Sequence, residues 1–332
     1  MGLMDFCTRA VDRVIKQYKL KPLFKNQFSD IYSDESSKYI LKIFNMDRPI
    51  ERKEMYLAEV RYLGLFSKME NIKRHIPQII QSNDKEGYIL MENKGRDGII
   101  LINDGAYDEK VFEDFLNQIP PVLEAIFKSG YVHRDIKPEN MVYDSETETW
   151  SIIDFAFTEP SKFTGKKLPF RGTYPYCAPF LGNKMYLTEF LKYNKREDLK
   201  VCADYFSFAL TAFALEGNEH RDVKLDKAVE ISIIPAIEVA LNPNASPVKK
   251  ALANIVLSCV DLKYTTIKWY YVAQKGRHCK YDMEMDFPEL KNMQFERNMI
   301  KCWETFMSII EKQKILSNSD HVQTENKPHK DC

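Results

Sequence analysis

One octapeptide restricts what this chain can fold into more than any other feature: His133-Arg134-Asp135-Ile136-Lys137-Pro138-Glu139-Asn140, with Asp154-Phe155 following fourteen residues after Asn140. It places a carboxylate, a lysine and an amide in one loop. The residues between read as a hairpin, Met141 to Tyr143 and Trp150 to Ile153 around a polar turn. Such a hairpin returns a second carboxylate, Asp154, toward the loop. The set supplies a base for a hydroxyl (Asp135), oxygen ligands for a hard divalent cation (Asn140 and Asp154) and a cation for moving negative charge (Lys137). Transfer of a phosphoryl group from a magnesium nucleotide requires these parts. Taken singly, each residue reads as surface decoration; as an ordered set ending on an apolar strand, they read as a site.

The totals bound the setting. With 332 residues there is room for one large domain or two lobes. Lys+Arg and Asp+Glu are equal at 48 each, so no net field recruits nucleic acid or a membrane surface. The seven cysteines are scattered without a Cys-x-x-Cys pair, which argues against a zinc site or a disulfide framework and fits a reducing compartment. No apolar run of about 18 residues suggests a membrane span. The first twenty residues lack the apolar centre of a signal peptide. Phe6 stands where a myristoylation signal wants Ser or Thr, and Cys332 is the wrong place for a prenylation box. The expectation is a soluble intracellular protein of cytoplasm or nucleus, with oligomeric state unspecified.

Periodicity supplies the element order. A short helix over 11–20 leads into strand-like sequence from Leu23 to Phe44, with turn chemistry at 33–37. Within Lys38 to Phe44, Ile40, Lys42 and Phe44 share one face and Tyr39, Leu41 and Ile43 the other. Pro49 marks a helix start, and Glu51 to Met69 carries an apolar stripe of Met55, Tyr62, Leu63 and Phe66. Lys42 and Glu59 are each out of place on an apolar face, and pairing them resolves both anomalies. Further strands are expected at 78–81 and 88–91. Helical sequence follows from Glu109, broken at Pro120-Pro121, where a new helix starts and runs to Lys128. The stretch from Leu187 to Lys312 reads as helical, and 317–332 as a disordered polar tail.

The block from His133 to Asn140 resembles the catalytic loop of eukaryotic-type protein kinases, and Asp154-Phe155 resembles their magnesium-binding Asp-Phe-Gly. The resemblance implies an α+β, bilobal fold: an extension over 1–17, an N-lobe over 18–91, a larger helical C-lobe over 95–312 and a tail over 313–332. It implies ATP as phosphoryl donor and Mg²⁺ or Mn²⁺ on Asn140 and Asp154, with Asp135 as base. Lys42 and Glu59 match the family's strand-lysine to helix-glutamate bridge. By register, Met91 stands at the gatekeeper, and the backbone of Glu92 and Lys94 would hold adenine. Gly172-Thr173-Tyr174-Pro175-Tyr176-Cys177-Ala178-Pro179 resembles the end of an activation segment, in which Thr173 meets Asp135 and Lys137 in serine/threonine kinases. Asp204 matches the helix aspartate that braces the loop, and His133 a structural histidine. Arg134 matches a receptor for a phosphate on the segment after Asp154, where Thr158, Ser161 and Thr164 are candidates.

The departures are specific. The family's phosphate-covering glycines fall here on Phe24, Asn26 and Ser29, so the phosphate grip is weaker or differently made. Ala156 replaces the glycine after Asp154-Phe155, and Phe180 replaces the glutamate after Ala178-Pro179. That glutamate's usual arginine partner is missing from Asp261 to Thr265 as well. The run from Phe180 to Asp204 is long, suggesting an insertion that binds a protein partner. These features lead to the expectation of a divergent serine/threonine protein kinase acting on a protein substrate. The alternatives are a pseudokinase scaffold and, last, a small-molecule kinase. The divergence further suggests an effector that acts on host signalling in the cytosol of a host cell.

Overall fold

The alternation read in 38–44 becomes the middle of a five-stranded antiparallel sheet. The structure, a computed structural model, describes residues 3–25, 28–45, 49–163, 171–173, 176–181, 184–216, 234–259, 266–267, 281–282 and 293–325. Packing groups the chain into two units, Met1–Lys162 with Arg171–Thr173, and Phe163–Phe170 with Tyr174–Cys332.

In the first unit, β1 (Lys21–Lys25), β2 (Ser29–Ser33), β3 (Tyr39–Phe44), β4 (Ile79–Asn83) and β5 (Tyr88–Glu92) lie in the order β1-β2-β3-β5-β4. Helix α1 (Leu3–Gln17) begins eight residues earlier than its apolar pattern indicated. Its Val11, Val14 and Ile15, together with Tyr18, recur at helical spacing and pack on Leu41, Tyr88 and Leu90, one face of the sheet. Burial on that face is what holds so short a helix.

The other face of β3 carries Lys42 and Phe44. Helix α2 (Pro49–Phe66) opens on Pro49, and its Tyr56 packs edge-on to Phe44 with centroids 5.5 Å apart. Tyr56, Glu59, Tyr62, Leu63 and Phe66 form its buried stripe, while Met55 is only half-buried. Phe66 then meets Phe155 at 5.4 Å and Tyr131 at 6.0 Å. His75 Nδ1 lies 2.6 Å from the Trp150 carbonyl. These contacts join the sheet to the rest of its unit, so packing divides the chain near Lys162, downstream of the 91–95 junction.

That rest comprises β6 (Arg96–Asp97), α3 (Gly98–Asn103), α4 (Glu109–Lys128), β7 (Tyr131–Val132), β8 (Met141–Asp144), β9 (Thr149–Ile152) and β10 (Glu159–Pro160). Asp108 caps α4 by accepting from Val111 N–H at 2.8 Å. The helix does not restart at Pro120-Pro121 but passes through both, which corrects the sequence expectation. Two missing N–H donors are outweighed by an uninterrupted buried face of Phe115, Leu116, Ile119, Val122, Leu123 and Ile126. At Gly95 the φ is 112°, and a Cβ would stand 2.1 Å from the Tyr143 carbonyl, so only glycine fits.

The second unit is mainly helical: α5 (Lys184–Phe190), α6 (Leu199–Glu216), α7 (Ile234–Leu241), α8 (Pro247–Ser258) and α9 (Met299–Glu325). Trp303 of α9 stacks on Tyr205 of α6 at 4.0 Å. Asn194 accepts from Met299 N–H at 2.8 Å and donates to the Arg297 carbonyl at 2.9 Å, tying the start of α9 to the segment after α5. Two expectations are corrected. The 187–312 stretch includes a short ladder of β11 (Thr266–Ile267) and β12 (Tyr281–Asp282), because local propensity yields to strand pairing there. The expected tail is helical as far as Glu325, since no proline or glycine interrupts 299–325.

Phe180, in a 3-10 turn over Pro179–Leu181, is buried and stacks on Phe190 of α5 with centroids 4.2 Å apart. An aromatic pair therefore occupies the position where a buried glutamate was the family expectation. Its expected partner segment, 261–265, lies outside the described residues. Phe180→Glu would bury a carboxylate against a ring, and about 3–5 kcal/mol of stability should be lost. Phe180→Leu should cost about 1–2 kcal/mol. Urea midpoints of the two variants measure the difference.

Candidate active site

The charged residues of the first unit gather around one ammonium. Lys42 extends from β3 to Glu59 Oε2 of α2 at 2.6 Å and to Asp154 Oδ1 beyond β9 at 3.0 Å. The Lys42 and Glu59 side chains are 10% and 1% exposed, whereas Asp154 is 37% exposed. Burial opposes charge on Lys42, but Asp154 and Glu59 outweigh it and hold the amine above the usual lysine range. Burial also opposes charge on Asp154, where Lys42 and then Lys137 prevail and keep the carboxyl below its ordinary value. Glu59 takes the opposite course: burial dominates over the attraction of Lys42 and pushes it up to about 7.

The second group forms in the loop after β7. Pro138 opens a 3-10 turn, Pro138–Asn140, which turns Asn140 back over Asp135. Asn140 Nδ2 donates to the Asp135 carbonyl at 2.8 Å and to its Oδ2 at 3.1 Å. Lys137 Nζ lies 2.9 Å from Asp135 Oδ2 and donates to Thr173 Oγ1 at 2.8 Å. The Thr173 hydroxyl in turn donates to Asp135 Oδ1 at 2.7 Å. Asp135, Lys137, Asn140 and Thr173 thus form one closed network, within which Thr173 makes the contact with Asp135 and Lys137 that the family resemblance implied.

His133 is spent on architecture. Its Nε2 meets the Ile153 carbonyl at 3.1 Å, and Nδ1 accepts from Asp135 N–H at 3.3 Å, which requires the neutral ring. Burial lowers its pKa in the same sense. Arg134 has φ 72° and donates to Glu159 Oε1 at 2.6 Å. Asp154 has φ 65° and precedes a 3-10 turn, Phe155–Phe157. Ala156 lies inside that turn and is absent from the positive-φ residues, so its position has no need of a glycine. Phe155 is fully buried between Phe66 and His133.

The nucleotide-facing expectations fare unevenly. At the end of β5, Glu92 and Lys94 pair at 2.9 Å, and Asn93 N–H is taken by the Lys38 carbonyl at 2.9 Å. Lys94 N–H donates to no acceptor among the described residues. Phe24 pairs with Ile31, and Ile31 with Lys42, so Phe24 stands in the cross-strand row of Lys42 and is 59% exposed. Ser29 is buried opposite Phe44, and Asn26 lies outside the described residues. Asp204 is buried in α6, in the other unit. Sequence reasoning missed Glu159 altogether; its only signal was a single carboxylate among Phe157, Thr158 and Pro160.

A sheet with a helix on each face, a lysine held between two carboxyl groups, and a loop aspartate bound by lysine, asparagine and threonine make up the candidate site. Residues 27–229 match the protein kinase domain, and the chain belongs to the protein kinase family. It is 32% identical over 151 residues to serine/threonine-protein kinase cds1 of Schizosaccharomyces pombe, covering 42% of this chain and 32% of that protein. It is 28% identical over 171 residues to a probable serine/threonine-protein kinase of Dictyostelium discoideum, covering 50% and 37%. Against the kinase KIC1 of Saccharomyces cerevisiae the identity is 24% over 217 residues, covering 63% and 19%. The chain therefore spans less than two fifths of the length of each of these relatives. No helix among the described residues is long and apolar enough to cross a membrane.

Glu59 yields a prediction with a definite sign. The folded chain holds its proton up to about pH 7, whereas an unfolded glutamate releases it near 4.5. Stability should therefore fall as pH rises through that window. Glu59→Gln should remove this slope in urea-midpoint measurements, whereas an unchanged slope would assign it to another group.

Proposed function

We propose that this chain transfers the γ-phosphate of Mg-ATP to a serine or threonine hydroxyl of a protein substrate. The observation that carries the reading is the Thr173 hydroxyl donating to Asp135 Oδ1 at 2.7 Å. Asp135 is already arranged to accept a hydroxyl's proton, with Lys137 beside it to attract the transferring group. Substrate binding requires an acceptor hydroxyl to reach the same carboxylate.

The donor set suits magnesium. Asn140 commits its Nδ2 to Asp135, which leaves its amide oxygen for a ligand, and Asp154 has one oxygen on Lys42 and the other open. Two hard oxygen donors completed by nucleotide phosphates and water are what Mg²⁺ takes. Among the described residues no cluster of three or more His, Cys, Asp or Glu offers a complete protein cage. Bound there, the ion would neutralise charge on the phosphates. Lys42, fixed by Glu59, would contact the nonreacting phosphates, and the open N–H of Lys94 would hold the base. On this reading 18–312 acts as the kinase domain, hinged between its N-lobe and C-lobe at 92–94.

A nucleotide-binding scaffold is the second reading. The exposed Phe24 in place of a glycine favours it, since a side chain there keeps backbone N–H groups away from phosphates. Labelled γ-phosphate transfer to a generic basic protein separates the two. Asp135→Asn should lower kcat by about 10²–10⁴-fold with an unchanged melting temperature, and Asp154→Ala should abolish transfer. Thermal stabilisation by Mg-ATP without any transfer would instead favour the scaffold.

A further inference from the structure

Arg134 is a cation with almost no access to water. Its side chain is 1% exposed, its backbone sits at φ 72°, and it immediately precedes Asp135. A left-handed backbone is unfavourable at a non-glycine residue, so something must hold it there. A buried guanidinium also needs a counter-charge. The resemblance led to the expectation of a phosphate on Thr158, Ser161 or Thr164 as the counter-charge. Thr158 and Ser161 are both buried, and Thr164 lies outside the described residues.

The chain supplies its own anion. Glu159 Oε1 accepts from Arg134 Nη1 at 2.6 Å, and the Glu159 side chain is 15% exposed. Backbone pairing sets this up. Glu159 lies opposite Val132 and Pro160 opposite Tyr131, and Ser161 N–H donates to the Gly130 carbonyl at 2.9 Å. The segment after Asp154 is thereby laid alongside the strand that enters the 133–140 loop. Both residues engage further groups too.

We infer that Glu159 is a positioning residue: it is the built-in counter-charge of Arg134 and sets the Asp135 loop for transfer without any phosphate on the segment that follows Asp154. The inference rests on the kinase reading above. It goes beyond that reading in assigning Glu159 a role and in making the unmodified chain the competent form.

The test uses the full chain, treated with a phosphatase until mass spectrometry finds no phosphate on 154–181. The dephosphorylated wild type should keep its transfer rate within about twofold of the untreated protein, since no charge at Arg134 is lost. Glu159→Gln should lower kcat by about tenfold to a hundredfold, as expected for a displaced loop. KM for ATP should stay near the wild-type value, and Glu159→Asp should recover part of the loss. A merely structural role would lower the melting temperature without this split between kcat and KM. Loss of activity on dephosphorylation of the wild type, which needs no variant to fold, would overturn the inference and leave the kinase reading intact. Full kcat in a folded Glu159→Gln variant would overturn it as well. If wild type, treated or untreated, transfers no more label than Asp154→Ala, the kinase reading falls and the inference with it.

Discussion

Everything in the first unit converges on a single buried ammonium shared by two carboxylates. Lys42 belongs to the central strand, Glu59 to the helix that follows it and Asp154 to the segment after the hairpin, 112 residues beyond Lys42. Removing any one charge would strand the others in a poorly solvated place, where an orphan costs several kcal/mol. The arrangement also explains why the two carboxylates behave oppositely. Asp154 is half open to solvent and stays charged, whereas Glu59 bears the burial and holds its proton toward neutral pH. One ammonium bonded to two carboxyl groups makes the positions of strand, helix and loop interdependent.

The departures from the family pattern fall on backbone freedom and on one ion pair, while the charges of the site remain. Ala156 is accommodated because the turn Phe155–Phe157 is right-handed there and the unusual dihedral falls on Asp154. Phe180 stands where a charge was expected and stacks its ring on Phe190 of α5. Phe24 is the departure that places an exposed ring in the cross-strand row of Lys42.

Legibility varied with the range of the interaction. Alternation within 38–44 put Lys42 on one face with Ile40 and Phe44, and helical spacing put Glu59 on an apolar stripe; two local anomalies pointed to one long-range pair, which the structure contains. The contact of Thr173 with Asp135 and Lys137 was legible only through the family resemblance, whereas the bonds from Asn140 to Asp135 were not foreseen. Pro120-Pro121 misled, since a local breaker was overridden by burial of the whole α4 face. Glu159 was invisible because a lone carboxylate in a short segment has no periodicity to violate. The end of α9 and the β11–β12 ladder were misread for a related reason: composition cannot weigh helix continuity against chain reversal.

By itself, the sequence determined which chemical groups the chain could bring to a site and in what order along the strand, hairpin and loop that carry them. Those are consequences of residue identity and short-range periodicity, each decided within a few turns of backbone. Tertiary structure alone decided which carboxylate neutralises Arg134, which of Glu59 and Asp154 bears the cost of burial, and where Ala156 and Phe180 could be tolerated. Each of those outcomes depends on desolvation and on distances between elements far apart in the chain, quantities that exist only once the elements have packed.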